Sequence, residues 1–271
     1  MIMGIISGAV FSGAVLASAR WTWWRGPVPG LPVLAYQKVG EPPAASILKS
    51  SWVAPEKFRA QVSWLLAHGY TPLLFSDLVK AGSGGKKIPE KAVLITFDGA
   101  YEDTYTRAYA ILRELGAKGN VFAVFNAIGK ADLWQDPAAE PWVSMATLEM
   151  LKEMRDSGLM EFGSYTMSHP RLEELPPEDA AWEMTESKKQ LEAALDREIC
   201  AFAYPYGSGA RSPEMRALVL QAGYALDFSS DPGKAAWPRN REDGAMPRLT
   251  VRRGDSNLDL KLQLTRGAAR L

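Results

Sequence analysis

The residue with the most chemical promise is Asp98, near the end of the run Lys91-Ala-Val-Leu-Ile-Thr-Phe-Asp-Gly-Ala-Tyr101. Ala92 to Phe97 is an apolar, β-type stretch, and the acid arrives as it ends, followed by Gly99 and Ala100. A carboxylate at the carboxyl end of a buried strand, before a turn into a helix, stands where α/β proteins place their chemistry. The usual partners for metal or acid–base work are histidines, and the chain has two, His68 and His169. His169 precedes Pro170 in a turn. His68 ends a helix-patterned segment before Gly69, where a solvated place near the helix C-terminus accounts for it. The one cysteine, Cys200, lies in an apolar run, which excludes an intrachain disulfide and reads as a small buried hydrophobe.

The elements that must position Asp98 follow from periodicity and punctuation. Strands are expected at Leu31 to Gln37, Tyr70 to Phe75, Ala92 to Phe97, Gly119 to Asn126, Leu159 to Ser164, Ile199 to Tyr204, Tyr224 to Ser229 and Met246 to Val251. Helices are expected at Pro55 to His68, Thr104 to Leu115, Pro177 to Leu195 and Asp259 to Arg266. Further helices are opened by Ser76, by Ser144 and by Ser212-Pro213. Strands alternating with helices at this spacing predict an α/β fold with a mainly parallel sheet.

With 271 residues, 47% hydrophobic and 23% charged, the chain can bury a large core. Lys+Arg and Asp+Glu are equal at 31 each, so neither an excess nor a patch of basic charge points to nucleic acid. Met1 to Ala19 has no charged side chain, and Arg20-Trp-Thr-Trp-Trp-Arg25 follows. Residues 1–26 therefore read as a membrane anchor or a signal segment, the tryptophan cluster favouring an anchor at the lipid–water interface. Residues 27–271 read as the folded domain, entered through a linker containing Pro27, Pro29 and Pro32.

Several turns together resemble one family. Thr96-Phe-Asp-Gly-Ala-Tyr101 resembles the Thr-Phe-Asp-Asp-Gly-Tyr motif of the polysaccharide deacetylases, the NodB-homology superfamily or carbohydrate esterase family 4. Gly163-Ser-Tyr-Thr-Met-Ser-His-Pro170 resembles its Gly-Ser-His-Thr-x-x-His-Pro motif, and Ala203-Tyr-Pro-Tyr-Gly207 its third. Pro32-Val-Leu-Ala-Tyr-Gln-Lys-Val39 resembles the Tyr-His-Lys-Val segment of the exopolysaccharide poly-N-acetylglucosamine deacetylases, and Pro247-Arg248 stands at the late Pro-Arg. The resemblance runs from about Pro32 to Val251 and implies a distorted (β/α) barrel.

The resemblance also implies a reaction. Family members hydrolyse the N-acetyl amide of a sugar with water activated by a divalent metal, held by one Asp and two His, with a second Asp as general base and a further His as general acid. In this chain Asp98 matches the base. The metal Asp falls on Gly99, the first metal His on Tyr165 and the second on His169, and the acid His falls on Gln37. One of three metal ligands remains, so no cofactor is expected, and zinc only with a rearranged site that recruits Glu102, Asp103 or a Tyr165 phenolate. The expectation is a deacetylase-like protein of the cell envelope, outside the membrane or secreted, lacking the usual metal-dependent activity. It would bind an N-acetylated glycan or an exopolysaccharide-handling partner. Alternatives are an active N-deacetylase with an altered site and a purely structural interaction domain.

Plainer readings stand beside these. Asp98 also reads as a turn-capping acid, His169 as a satisfied turn histidine, and Tyr165 as filler for lost metal volume. Tyr204, Tyr206 and Trp142 read as a sugar-stacking set or as rim packing. Trp134 and Trp237 lie in polar loops as contact candidates. Glu140 and Glu178 read as solvated surface.

Overall fold

The computed structural model describes residues 26–85, 87–240 and 243–269. The expected anchor or signal segment lies almost wholly outside the described residues, among which no helix is long and apolar enough to cross a membrane.

Seven parallel strands close into a barrel. In order around the ring they are β1 (Val33–Tyr36), β10 (Met246–Thr250), β9 (Leu226–Pro232), β8 (Ala201–Ala203), β7 (Met160–Ser164), β6 (Gly119–Ala123) and β5 (Ala92–Gly99), which pairs back onto β1. A short β4 (Thr71–Leu73) pairs with the first residues of β5, and β6 takes over that edge from Thr96 onward. Two-residue strands β2 (Lys38–Val39) and β3 (Trp52–Val53) pair outside the ring. The α/β class and the (β/α) barrel expected from the sequence are those observed.

Side chains alternate along each strand, and the alternation decides what faces the site. On β5, Val93, Ile95 and Phe97 pack outward with Phe58, Val62 and Leu65 of α1 (Pro55–Ala67), while Ala92 and Leu94 belong to the inner cluster. Asp98 shares the inward parity. Inside, the rings of Phe75, Phe122 and Phe228 meet with centroids 5.0–5.4 Å apart. Phe75 comes from a helix rather than a strand. It is the first residue of α2 (Phe75–Gly82), which begins inside the stretch expected to be a strand.

Asn120 explains how α2 can start there. Its Oδ1 accepts from Phe75 N at 2.9 Å and its Nδ2 donates to Leu73 O at 2.9 Å, satisfying backbone groups that β4 leaves unpaired. Ser76 is therefore not the cap. The Asp77 carboxylate accepts from Leu74 N, and Ser76 N donates to Glu161. Ser144 is likewise bridged to Ala131, and Thr147 caps α4 (Leu148–Asp156) by accepting from Met150 N.

The segment after β5 is a π-helix, Thr104–Tyr109, running into α3 (Ala110–Leu115) and closed by Gly116 at φ 64°. Three outer helices complete the layer. The helix α5 (Pro177–Leu195) has the expected bounds, α6 (Pro213–Gln221) is capped by Ser212, and α7 (Asn257–Arg266) is capped by Ser256.

Because Phe75 is wholly buried and fills the barrel interior, Phe75→Ala should destabilise the fold by roughly 3–5 kcal/mol, read as a lower urea midpoint.

Candidate active site at the carboxyl mouth of the barrel

The inward-facing residues at the strand ends enclose a cavity of about 240 Å³ that holds Gln37, Lys38, Asp98, Gly99, Tyr165 and His169 on its wall. Four positions singled out by the family pattern beside Asp98 (37, 99, 165 and 169) therefore do converge on one place.

Asp98 is tied down. Arg248 reaches it from β10 through two parallel bonds, Nη1 to Oδ1 at 2.6 Å and Nη2 to Oδ2 at 2.9 Å, and Arg248 Nε donates to Ser229 O at 2.8 Å. Both residues are buried, and the guanidinium lies 5.5 Å from the Phe122 ring centroid. Both Asp98 oxygens thus accept from a fixed cation. The Tyr165 hydroxyl lies against the same guanidinium. Burial first, and the Asp98 charge second, push the phenol above its ordinary range, so Tyr165 stands in its neutral form.

Gly99 supplies no ligand atom, and its surroundings leave no room for one. Its φ is +104°, and a Cβ there would meet Tyr101 Cε2 at 2.7 Å. Tyr101 is held in turn, its hydroxyl donating to Asp132 Oδ2 at 3.3 Å. The positive φ continues at Ala100, φ 60°, an αL residue that carries a Cβ.

His169 is boxed by rings: Trp134 stacks on it at 4.5 Å, and Tyr165 and Tyr206 meet it edge-on at 4.7 Å each. Burial lowers its pKa to about 3, so the imidazole is neutral. Its Nδ1 is buried without a hydrogen-bond partner among the described residues.

The aromatic residues expected to line a sugar groove divide. Tyr206 is on the cavity wall, with Arg171 4.4 Å from its ring centroid. Tyr204 is not: one residue beyond the inward Ala203, it points outward, wholly buried, and donates to Asp227 Oδ2 at 3.2 Å. Trp142 is half exposed outside the wall, its Nε1 donating to Gln135 O beside the mouth. Trp134 lines the cavity, whereas Trp237 packs at a separate groove. Glu140 is not solvated surface. It is buried and accepts from Ser46 Oγ at 2.6 Å and Ile47 N at 2.8 Å, latching two mouth loops together. His68 is exposed and bonds Trp64 O, as its helix-end position suggested.

The burial of Lys38 and the role of Asp132 escape sequence reasoning, while Asp103, considered there as a recruit to a rearranged metal site, lies off the cavity wall. Lys38 is 1% exposed, with Nζ 4.3 Å from the Tyr101 ring centroid and 4.0 Å from Asp132 Oδ2. Asp103 lies behind it, not on the cavity wall, and neither of its oxygens has a hydrogen bond of good geometry among the described residues. Burial raises Asp103 to about 7, against smaller lowering by Val39 N–H and Lys38.

The donors present do not fit the Asp-His-His metal set of the family pattern. Position 99 has no donor, Tyr165 is a neutral phenol on an arginine, and Asp98 is already paired. Among the described residues no group of three or more His, Cys, Asp or Glu side chains is placed to hold a metal ion.

Comparison with known proteins places this architecture. Residues 85–226 match the polysaccharide deacetylase family model. The chain is 30% identical over 226 residues to the polysaccharide deacetylase YxkH of Bacillus subtilis (strain 168), covering 83% of this chain and 73% of the relative. It is 26% identical over 212 residues to the poly-beta-1,6-N-acetyl-D-glucosamine N-deacetylase of Staphylococcus aureus (strain N315), covering 75% and 69%. Among solved structures it resembles the Streptococcus pyogenes deacetylase PplD in complex with acetate, with a TM-score of 0.73 and 26% identity over 88% of this chain and 99% of that one. The chain belongs to the polysaccharide deacetylase family and is related to the poly-N-acetylglucosamine deacetylases.

Two measurements test the site's electrostatics. Arg248→Met leaves a buried carboxylate unpaired and should cost roughly 3–5 kcal/mol, while the double variant Asp98→Asn with Arg248→Met should recover part of that loss. Asp103 has a folded pKa of about 7, above its ordinary 3.8, so the folded chain binds that proton more tightly. Between about pH 4 and pH 7 this group's contribution to stability is then lost as pH rises, by up to ~1.4 kcal/mol per pH unit. Asp103→Asn should remove that slope, so urea midpoints of variant and wild type diverge in the variant's favour as pH rises through this window.

Proposed function

We propose that this chain is a deacetylase-fold protein of cell-envelope carbohydrate handling that binds N-acetylated glycan at the barrel mouth without the family's metal-dependent amide hydrolysis. The observation that carries the reading is the Gly99–Tyr101 contact: the ring lies 2.7 Å from where a ligand-bearing Cβ would begin. The Asp98–Arg248 clamp and the neutral Tyr165 support it, because together they remove the remaining anionic donors from the cavity. Activating water for amide hydrolysis calls for a strong base or a Lewis acid, and neither is assembled by these side chains. The aromatic box of Trp134, His169 and Tyr206 supports a binding role, since flat ring faces accept the apolar faces of sugars. The segment 1–26 is proposed to hold the domain at the membrane, with the mouth outside.

Protein purified without chelators should carry far less than one zinc per chain and release no acetate from N-acetylglucosamine oligomers, while retaining oligomer binding by calorimetry. Stoichiometric zinc with acetate release would overturn the reading in favour of an active N-deacetylase with a rearranged site. Absence of oligomer binding would favour a role in protein interaction. Gly99→Asp with Tyr165→His should fail to restore zinc binding while position 99 keeps its φ of +104° and Tyr101 its present place.

A further inference from the structure

The charged groups on the cavity wall are Lys38, Asp98 and Arg248. The last two cancel through their two-bond clamp. Lys38 is left facing the cavity. Its closest carboxylate oxygen, Asp132 Oδ2, is 4.0 Å away, longer than a hydrogen bond. That carboxylate is occupied elsewhere: Oδ1 accepts from Val143 N at 2.6 Å and Oδ2 from the Tyr101 hydroxyl. The ammonium otherwise rests on π faces, with Tyr101 at 4.3 Å and Trp52 at 5.4 Å. An ammonium that is 1% exposed, with three N–H donors and no acceptor at hydrogen-bond range among the described residues, is costly unless something in the cavity completes it. Asp132 is wholly buried behind it and offsets its charge without reaching the cavity. A ligand entering from the mouth therefore meets the ammonium and not the acid.

We propose that Lys38 is an anion anchor, and that the cavity takes a carboxylate: that of a sugar acid, with the pyranose against Trp134 and Tyr206, or a small free carboxylate. Size fits the first. A cavity of about 150 Å³ holds benzene, and the 240 Å³ here suits one hexose-sized group. The proposal shares with the glycan reading only the premise that this cavity binds a ligand.

The test is titration of the full chain with D-glucuronate against D-glucose, and acetate against acetamide, in wild type and Lys38→Met. Wild type should prefer the carboxylate of at least one pair by about tenfold or more, and Lys38→Met should abolish the preference. In protein with biosynthetically ¹³C,¹⁵N-labelled lysines, the same carboxylate should shift the Lys38 side-chain resonance, assigned by its absence from Lys38→Arg. That readout decides the matter if Lys38→Met does not fold. Preference for glucuronate identifies a sugar acid; preference for acetate alone keeps the anchor and identifies a free carboxylate. Equal affinity for charged and neutral partners, no binding of either, or an unmoved Lys38 resonance overturns the proposal. Neutral N-acetylglucosamine oligomers in the same titration separate the two ideas. If they bind but no carboxylate preference exists, Lys38 alone fails; a carboxylate preference without oligomer binding sinks only the glycan reading.

Discussion

Asp98 and Arg248 form a charge pair inside a barrel whose floor is phenylalanine. That pair sets the terms for everything above it. The two residues come from β5 and β10, the strands on either side of β1, so the clamp ties together two strands that are not paired with each other. Phe122 lies beneath the guanidinium and Tyr165 against it, so solvent cannot rescue either charge if the other moves. A site built on such a pair is rigid at its centre. Adaptable contacts have to come from the loops of the mouth, where Glu140 and Asp132 fix backbone N–H groups.

Around the clamp, the wall is unusually rich in neutral aromatic surface. Tyr101, Trp134, Tyr165, His169 and Tyr206 meet in a chain of ring contacts. Such a wall favours stacking over proton transfer, and its low polarity is what suppresses ionisation of His169 and Tyr165. The ionic groups on this wall are Lys38 and the Asp98–Arg248 pair, with Asp132 and Asp103 set behind Lys38 off the wall. Where the family pattern has metal-ligating side chains at positions 99 and 165, this mouth presents a glycine and a neutral phenol within a wall of π faces.

Much of this was legible from residue types. The strand–helix alternation pointed to an α/β fold with a mainly parallel sheet, the family resemblance implied the barrel, α5 has the bounds expected, and the family motifs converged on one mouth. What escaped was set by parity and by tertiary partners. Tyr204 and Tyr206 look alike in Ala-Tyr-Pro-Tyr-Gly, yet Tyr204 continues the outward face of β8 while Tyr206, at φ 57°, turns back over the mouth. Phe75 has the composition of a strand residue and becomes a helix start because Asn120, forty-five positions away, accepts its N–H. Ser76 and Ser144 are good caps by composition, but the backbone turns elsewhere. Lys38 is one of 31 basic residues and carries no local mark of burial. Only the rings of Trp52, from β3, and Tyr101, from the turn after β5, reveal it.

The two left-handed residues at 99 and 100 couple the backbone of the mouth to its side chains. A carboxylate at position 99 needs a different backbone path and the space now held by Tyr101. Tyr101 in turn answers to Asp132 and Lys38. Seating a side chain at position 99 on this backbone requires the Tyr101 ring to shift, and shifting it disturbs its contacts with Asp132 and Lys38. Positions 99, 101, 132 and 38 therefore behave as one coupled unit, in which a change at any one is felt at the other three. Substitutions at this corner of the mouth should be strongly non-additive for that reason.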